Sequence, residues 1–183
     1  MSIIVIDNGA SKIKYGTIGQ ERPSYMMNCV AKVHKQMQVL VGDQIESSLN
    51  GSLLHYQRPH ERGYLTNWGC EMDVWNRLFS SSFMNINPSE TSLVLTEAPV
   101  NPVALQNDCN EVIFEEYGFK NYSRRTGMWY SSYEFAANPP PGTTHANCCT
   151  IVDSGFSFTQ IMPVLSGKCK LSAVGVIVLY TYY

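Results

Sequence analysis

Four consecutive apolar residues, Ile3 to Ile6, run straight into Asp7-Asn8-Gly9, and the pattern then alternates through Lys12-Ile13-Lys14-Tyr15-Gly16. A short unbroken apolar run ending in a turn signal predicts a buried strand. The period of two that follows predicts its return strand, closing a hairpin across Asn8-Gly9. The same sequence of events recurs at Thr150-Ile151-Val152-Asp153-Ser154-Gly155, with Gln160 to Leu165 as the return strand. Pro163 lacks a backbone donor, so it suits an edge or a strand end better than a central position.

Between these hairpins the pattern first weakens. From Glu21 to Pro59 only short segments such as Val39 to Asp43 read as strands, and Glu46 to Ser52 reads as loop, so a small insert over about 28–60 or a flap is expected. Periodicity then returns. Thr66 or Asn67 suits an N-cap, Glu71 and Asp73 suit the opening turns, and Trp68, Met72, Trp75, Leu78 and Phe79 form one helical face. Ser92 to Glu97 reads as a buried strand. Pro102 fits the first turn of a second helix with Leu105, Cys109, Val112 and Ile113 inward and Gly118 closing it. A third helix is expected over Tyr122 to Phe135, and Asn138-Pro139-Pro140-Pro141-Gly142 breaks the chain. The apolar, uncharged tail from Ala173 to Tyr183 is β-prone and would be an aggregation-prone edge if nothing paired with it.

The chemistry sits at the two strand ends. Successive amides in such a turn form an anion-binding concavity, with glycine where a side chain would obstruct the backbone, and Lys12 or Lys14 adds positive charge. Either turn alone is an ordinary strand end. Two copies facing each other would grip a polyphosphate, with Asp7 and Asp153 holding Mg²⁺ through water because Mg²⁺ dehydrates reluctantly. The candidate ligand-binding residues are therefore Asp7, Asn8, Gly9, Lys14, Asp153, Ser154 and Gly155, with Asp7 and Asp153 as the metal candidates.

Composition narrows the setting. With 183 residues and a formal net charge of −2, the chain lacks the basic excess of a nucleic-acid binder, and Arg124-Arg125 is its only basic cluster. Six cysteines show no C-x-x-C spacing, and four histidines do not complete a zinc set, so reduced, mostly core thiols are expected. No apolar run approaches the ~18 residues of a membrane span. Asp7 interrupts the N-terminal apolar run too early for a signal peptide, and an intracellular, soluble protein is expected.

Several spaced segments carry a family resemblance. Asp7-Asn8-Gly9 with Lys14 and Gly16 resembles the first phosphate loop of the actins, and Asp153-Ser154-Gly155 resembles the second. Gly63-Tyr64-Leu65-Thr66-Asn67-Trp68 and Leu95-Thr96-Glu97-Ala98-Pro99-Val100-Asn101-Pro102 resemble the segments between them, in order, and the likeness covers about residues 2–170. It implies an α/β fold of the actin-like (ribonuclease-H-like) kind, a mixed sheet with flanking helices. Residues 1–146 would form the first lobe and 147–183 the start of the second with a divergent tail. ATP or ADP with Mg²⁺ would lie between the lobes.

Asn28-Cys29, Val74-Trp75, Phe114 to Phe119 and Val152 to Thr159 resemble the nuclear branch of the actin-related proteins. That likeness implies a scaffold subunit of a Swr-type chromatin-remodelling complex that deposits a variant histone in nucleosomes. Such a subunit would be nuclear and also cytoplasmic. It would meet histones indirectly and would form neither filaments nor membrane contacts.

The sequence also departs from the actin pattern. Phe156 and Ser157 stand where the second loop has an acidic residue and a Gly, and Ala10 and Ser11 where the first has Ser and Gly. The Tyr122–Tyr133 segment offers no Gln, and Gln160 stands at the family's His position, so the groups that hold the attacking water are missing. From about Leu171 the likeness fades, and about as many residues again would be expected to follow. Weak or structural nucleotide binding is therefore expected. The alternatives are a working ATPase of cytoskeletal type or a phosphotransferase of the same superfamily, and the Thr-Asn-Trp and Thr-Glu-Ala-Pro segments argue against the latter.

Overall fold

The computed structural model describes residues 2–33, 39–47, 54–145 and 147–178. In chain order the strands β1 (Ser2–Asn8), β2 (Lys12–Thr17), β3 (Ser24–Met27), β4 (Val30–Val33) and β5 (Val39–Val41) precede a short helix α1 (Asp43–Ser47). Then come β6 (Leu54–Gln57), β7 (His60–Glu61), β8 (Tyr64–Leu65), helix α2 (Trp68–Phe79), β9 (Thr91–Glu97) and helix α3 (Val103–Glu111). Strand β10 (Asn121–Thr126) and helix α4 (Gly127–Ala137) lead to β11 (Cys149–Ser154), β12 (Phe158–Leu165), β13 (Lys168–Cys169) and β14 (Gly175–Val178).

The main sheet has the order β10-β9-β1-β2-β3. It is mixed: β1 pairs with β2 antiparallel, placing Asp7 opposite Lys14, whereas β9 runs parallel to both β1 and β10. The parallel strands need crossover connections, and α2 and α3 supply them. Central β9 buries Thr91, Ser92, Leu93 and Leu95, while β1 alternates, with Ile4 and Ile6 inward and Val5 exposed. Against these strands α2 lays Val74, Trp75 and Leu78, all fully buried. Trp75 meets Trp68, Phe79 and Tyr117 at centroid distances of 5.9, 5.7 and 5.6 Å, within the range of favourable aromatic pairs. The cap is Asn67, whose side chain accepts from the Cys70 N–H at 3.1 Å. The helical face is rotated from the expected one: Glu71 is fully buried and Met72 only half-buried.

Residues 30–57 contribute a small sheet β5-β4-β6 over a core of Cys29, Ala31, Leu40 and Ile45. A two-pronged ion pair from Arg77 of α2 to Asp43 of α1, at 2.9 and 2.8 Å, fastens it to the main body and holds the Asp43 carboxyl below its usual range. The stretch expected to be loop from Glu46 begins instead inside α1, because Ile45 anchors a helical turn in that small core; residues 48–52 lie outside the described residues.

The helix expected over Tyr122 to Phe135 is half strand. Residues 121–126 pair with β9 and only Gly127 opens α4, because the segment alternates, with Tyr122 and Arg124 turned inward. Arg124 donates to Gln106 Oε1 at 2.6 Å and lies 3.6 Å from Glu97, so the inward cation has partners.

The last sheet joins β11, β12 and β13, with β14 also on β12, and Met162 and Val164 pack under Met128 of α4. Pro163 lies within β12 rather than at its end. It is accommodated because it falls between the β14 pairing at 158–161 and the β13 pairing at 164–165. The apolar tail is paired within the chain as far as Val178, and residues 179–183 lie outside the described residues.

Candidate functional site

The turns after β1 and β11 open onto one cleft of about 370 Å³. Asp7, Asn8, Gly9 and Lys14 line it from the main sheet, and Asp153 and Gly155 from the other, so six of the seven candidate residues converge. Ser154 does not line it: its hydroxyl instead pairs with that of Thr159 at 3.0 Å across the hairpin. Alternation along β11 explains this, because neighbours on a strand point to opposite faces.

Asp7 is held at both oxygens. Thr96 donates its hydroxyl to Oδ1 at 2.6 Å, and Lys14 reaches Oδ2 at 2.9 Å. Thr96 in turn accepts from the Asn8 N–H at 3.1 Å, so β9 fixes the end of β1 through one hydroxyl. The Asp7 hydrogen bond and charge, helped by Asp153 across the cleft, raise the Lys14 ammonium above its ordinary pKa and keep it cationic. Gly9 is required where it stands, since a Cβ there would meet the Lys12 carbonyl oxygen at 2.7 Å. Glu97 is engaged by Asn101 and Arg124 rather than presented as a free acid. Gln160, buried on β12 and opposite Asp153, forms part of the cleft wall.

Contacts with no signature in the sequence join the two walls. Arg58 donates to the carbonyls of Ala10 and Ser11 at 3.4 and 3.2 Å and stacks its guanidinium over the Phe156 ring at 4.9 Å. The Cε1 corner of the Phe158 ring packs against Gly63, whose φ of +82° and absent Cβ make the approach possible. Phe156 lies in the second turn and Phe158 opens β12, so the walls are stapled at two points along the cleft. Beneath the first turn, Asn28 and Glu71 form a buried pair, with Asn28 Nδ2 donating to Glu71 Oε2 at 3.2 Å.

His60, behind the cleft on β7, has no partner for a fully buried Nδ1, and burial pushes its pKa down to about 4. The native state therefore refuses a proton that the unfolded chain accepts below about pH 6.5, and stability is lost as pH falls from there towards 4. Urea unfolding at pH 7 and pH 4.5 should show His60→Asn losing less stability on acidification than the parent, by up to roughly 3 kcal/mol. Equal losses would show that His60 titrates freely in the native state.

The fold and this two-turn cleft define a class, and the chain belongs to the actin family: the family model described as actin matches residues 1–174. The fold of that family is in general a nucleotide-binding one. Among individual proteins, the chain is similar to the actin-like protein ARP6 of Cryptococcus neoformans, 36% identical over 171 residues, which cover 91% of this chain and 34% of that protein. It is also similar to actin-related protein 6 of Neurospora crassa, 33% identical over 176 residues (90% of this chain, 39% of that protein). Actin-related protein 6 of Drosophila melanogaster is 30% identical over 175 residues (94% and 44%). The chain thus spans between about a third and under half of the length of these relatives.

The residues at the cleft fit a Mg²⁺-bound phosphate chain: a glycine turn too tight for a Cβ, a carboxylate on each wall and an ammonium beside Asp7. Among the described residues no group of three or more His, Cys, Asp or Glu could hold a metal unaided. No helix among them is long and apolar enough to cross a membrane.

Proposed function

We propose that this chain carries the cleft-forming part of a nuclear actin-related protein, a non-filament scaffold subunit of a Swr-type chromatin-remodelling complex that places a variant histone in nucleosomes. In this reading the cleft binds ATP or ADP with Mg²⁺ as a structural ligand. Asp7 and Asp153 hold the cation through water and the phosphates, while Asn8, Gly9, Lys14 and Gly155 cradle the phosphate oxygens. Its partners are the other subunits of the complex, it meets histones through them, and it resides in the nucleus and also the cytoplasm. Neither a membrane nor a specific nucleic-acid sequence is among its ligands.

The observation that carries this reading is Phe156 stacked on Arg58. The second turn spends its tip on joining the two walls, where a hydrolase would spend it on ordering water around the cation. Neither β10 nor α4 carries a Gln, and among the described residues the only side-chain amide lining the opposite wall is the buried Gln160. Hydrolysis needs a water fixed in line with the terminal phosphate, so losing those groups slows chemistry before it weakens binding. The similarity to proteins named actin-related protein 6 supports the same assignment.

Two experiments test it. Calorimetry with Mg-ATP, on this chain and on a longer form of the protein, should show binding without measurable turnover on the timescale of the titration. Loss of the full protein from cells should lower the variant histone in nucleosomes without changing actin filaments. Rapid turnover by this chain would favour the ATPase reading. An unchanged histone distribution would overturn the scaffold assignment.

A further inference from the structure

Under the first turn lies a polar cluster that ligand contacts do not use. Asn28, fully buried, reaches both sides of that turn: its side-chain Nδ2 donates to the Gly9 carbonyl at 3.1 Å and its backbone N–H to the Ser11 carbonyl at 2.9 Å. The same Nδ2 donates its second hydrogen to Glu71 Oε2 at 3.2 Å. The orientation of the Asn28 amide, and with it the position of the Gly9 peptide, therefore depends on one buried carboxyl in the first turn of α2.

The surroundings of that carboxyl specify its state. Burial favours its neutral form, and this outweighs the polar side chains that favour the carboxylate, namely Asn8 from β1, Asn28, and Trp75 from its own helix. The titratable groups that feel it are Cys70 on the same helix, Cys109 on α3 and Tyr117 beyond α3, and none of these is a cation. Three buried acceptors here have no donor, namely Glu71 Oε1, Asn8 Oδ1 and Asn28 Oδ1, against two unpartnered donors, the Trp68 and Trp75 indole N–H groups. A carboxylate would deepen this surplus of acceptors, whereas a carboxylic acid brings the missing O–H. A buried charge without a counter-ion is also strongly disfavoured, and the group neutralises instead.

We propose that Glu71, as a neutral carboxyl acting through Asn28, is the positioning residue of the first phosphate turn. Burial pushes its pKa from the usual carboxylate range up to about 7, so the proton is held through most of the acidic range and released just above neutrality. On release, the carboxylate draws donors and water towards itself, Nδ2 is pulled from the Gly9 carbonyl, and the turn loosens. The native state keeps its proton between pH 4.5 and 7 while the unfolded chain has lost it. This contribution to stability therefore falls as pH rises through that window. The effect on ligand affinity rests on the nucleotide reading above; the effect on the turn does not.

The test is an NMR titration of this chain from pH 5.5 to 9, following the Glu71 carboxyl carbon and the amide of Ala10, whose peptide contains the Gly9 carbonyl. Both should titrate with one midpoint near 7. In Glu71→Gln, where an NH₂ group replaces the O–H donor, the Ala10 amide should stay near its acidic-range position throughout. Mg-ATP affinity, measured on the same samples, should fall about tenfold between pH 6.5 and 8.5 in the parent relative to Glu71→Gln. An Ala10 amide that does not move with Glu71, or moves equally in Glu71→Gln, overturns the proposal. So does a Glu71 carbon that titrates near pH 4.5, a result that needs no variant to fold. If Mg-ATP binds neither protein at any pH, the nucleotide reading fails while the NMR result still decides the role of Glu71.

Discussion

Replacing Gly63 by alanine should destabilise the protein by roughly 2–3 kcal/mol and separate the two walls of the cleft. Two physical causes add. A Cβ at position 63 would sit 1.8 Å from Cε1 of Phe158, well inside any permitted contact, and the backbone there has φ of +82°, which an L side chain adopts at a cost. The half-buried Phe158 ring must therefore swing off the Gly63 backbone and lose its packing near Tyr64, 6.4 Å away between centroids. Chemical denaturation of Gly63→Ala, Phe158→Ala and the double variant separates the terms. The steric cost belongs to the pair, so the double variant should lose about 1–2 kcal/mol less than the sum of the single losses. Simple additivity would show that Gly63 matters only through its dihedral angle. Cross-linking or small-angle scattering would then show whether losing this staple also opens the cleft.

The two hairpins were readable because their signals are local. An apolar run, an Asp and a Gly specify a strand and its turn without reference to the rest of the chain, and the structure pairs β1 with β2 and β11 with β12 accordingly. Residues 122–126, expected as helix, form strand for the opposite reason. The strand exists because β9 offers a free parallel edge and because Arg124 finds Gln106 and Glu97, and these partners are distant in sequence. Glu71 shows a signal that was present but overridden. It stands three residues after Trp68 and four before Trp75, on the inward stripe, yet an acidic residue in an opening turn reads naturally as a partner for the helix dipole. Position outweighed charge, and the cost was met by neutralising the group and pairing it with Asn28. Arg58 had no readable signal, since its partners are two adjacent carbonyls and an aromatic ring from two segments distant in sequence.

The second large effect is expected at Asp7, where substitution should change how a nucleotide is held more than whether it is held. Asp7 restrains the Lys14 ammonium, and in the proposed nucleotide site it would also present a carboxylate to a cation on the phosphates. Asp7→Ala removes both, which leaves Lys14 free to meet phosphate directly. Losing a charge-assisted contact of this kind is worth roughly 1.5–3 kcal/mol, or about 10–100-fold in affinity for Mg-ATP. Metal-free ATP should respond in the opposite sense, because the anionic repulsion of Asp7 has gone and the ammonium has been released. Calorimetry with and without EDTA distinguishes these effects: the parent should bind more weakly once Mg²⁺ is removed, and Asp7→Ala should be nearly indifferent to the metal. Lys14→Met, which keeps Asp7, should retain metal dependence while lowering affinity for both forms. An Asp7→Ala protein that keeps the parent's full preference for Mg²⁺ would transfer the cation to Asp153 alone and leave Asp7 as the anchor of Thr96 and the β1 strand end.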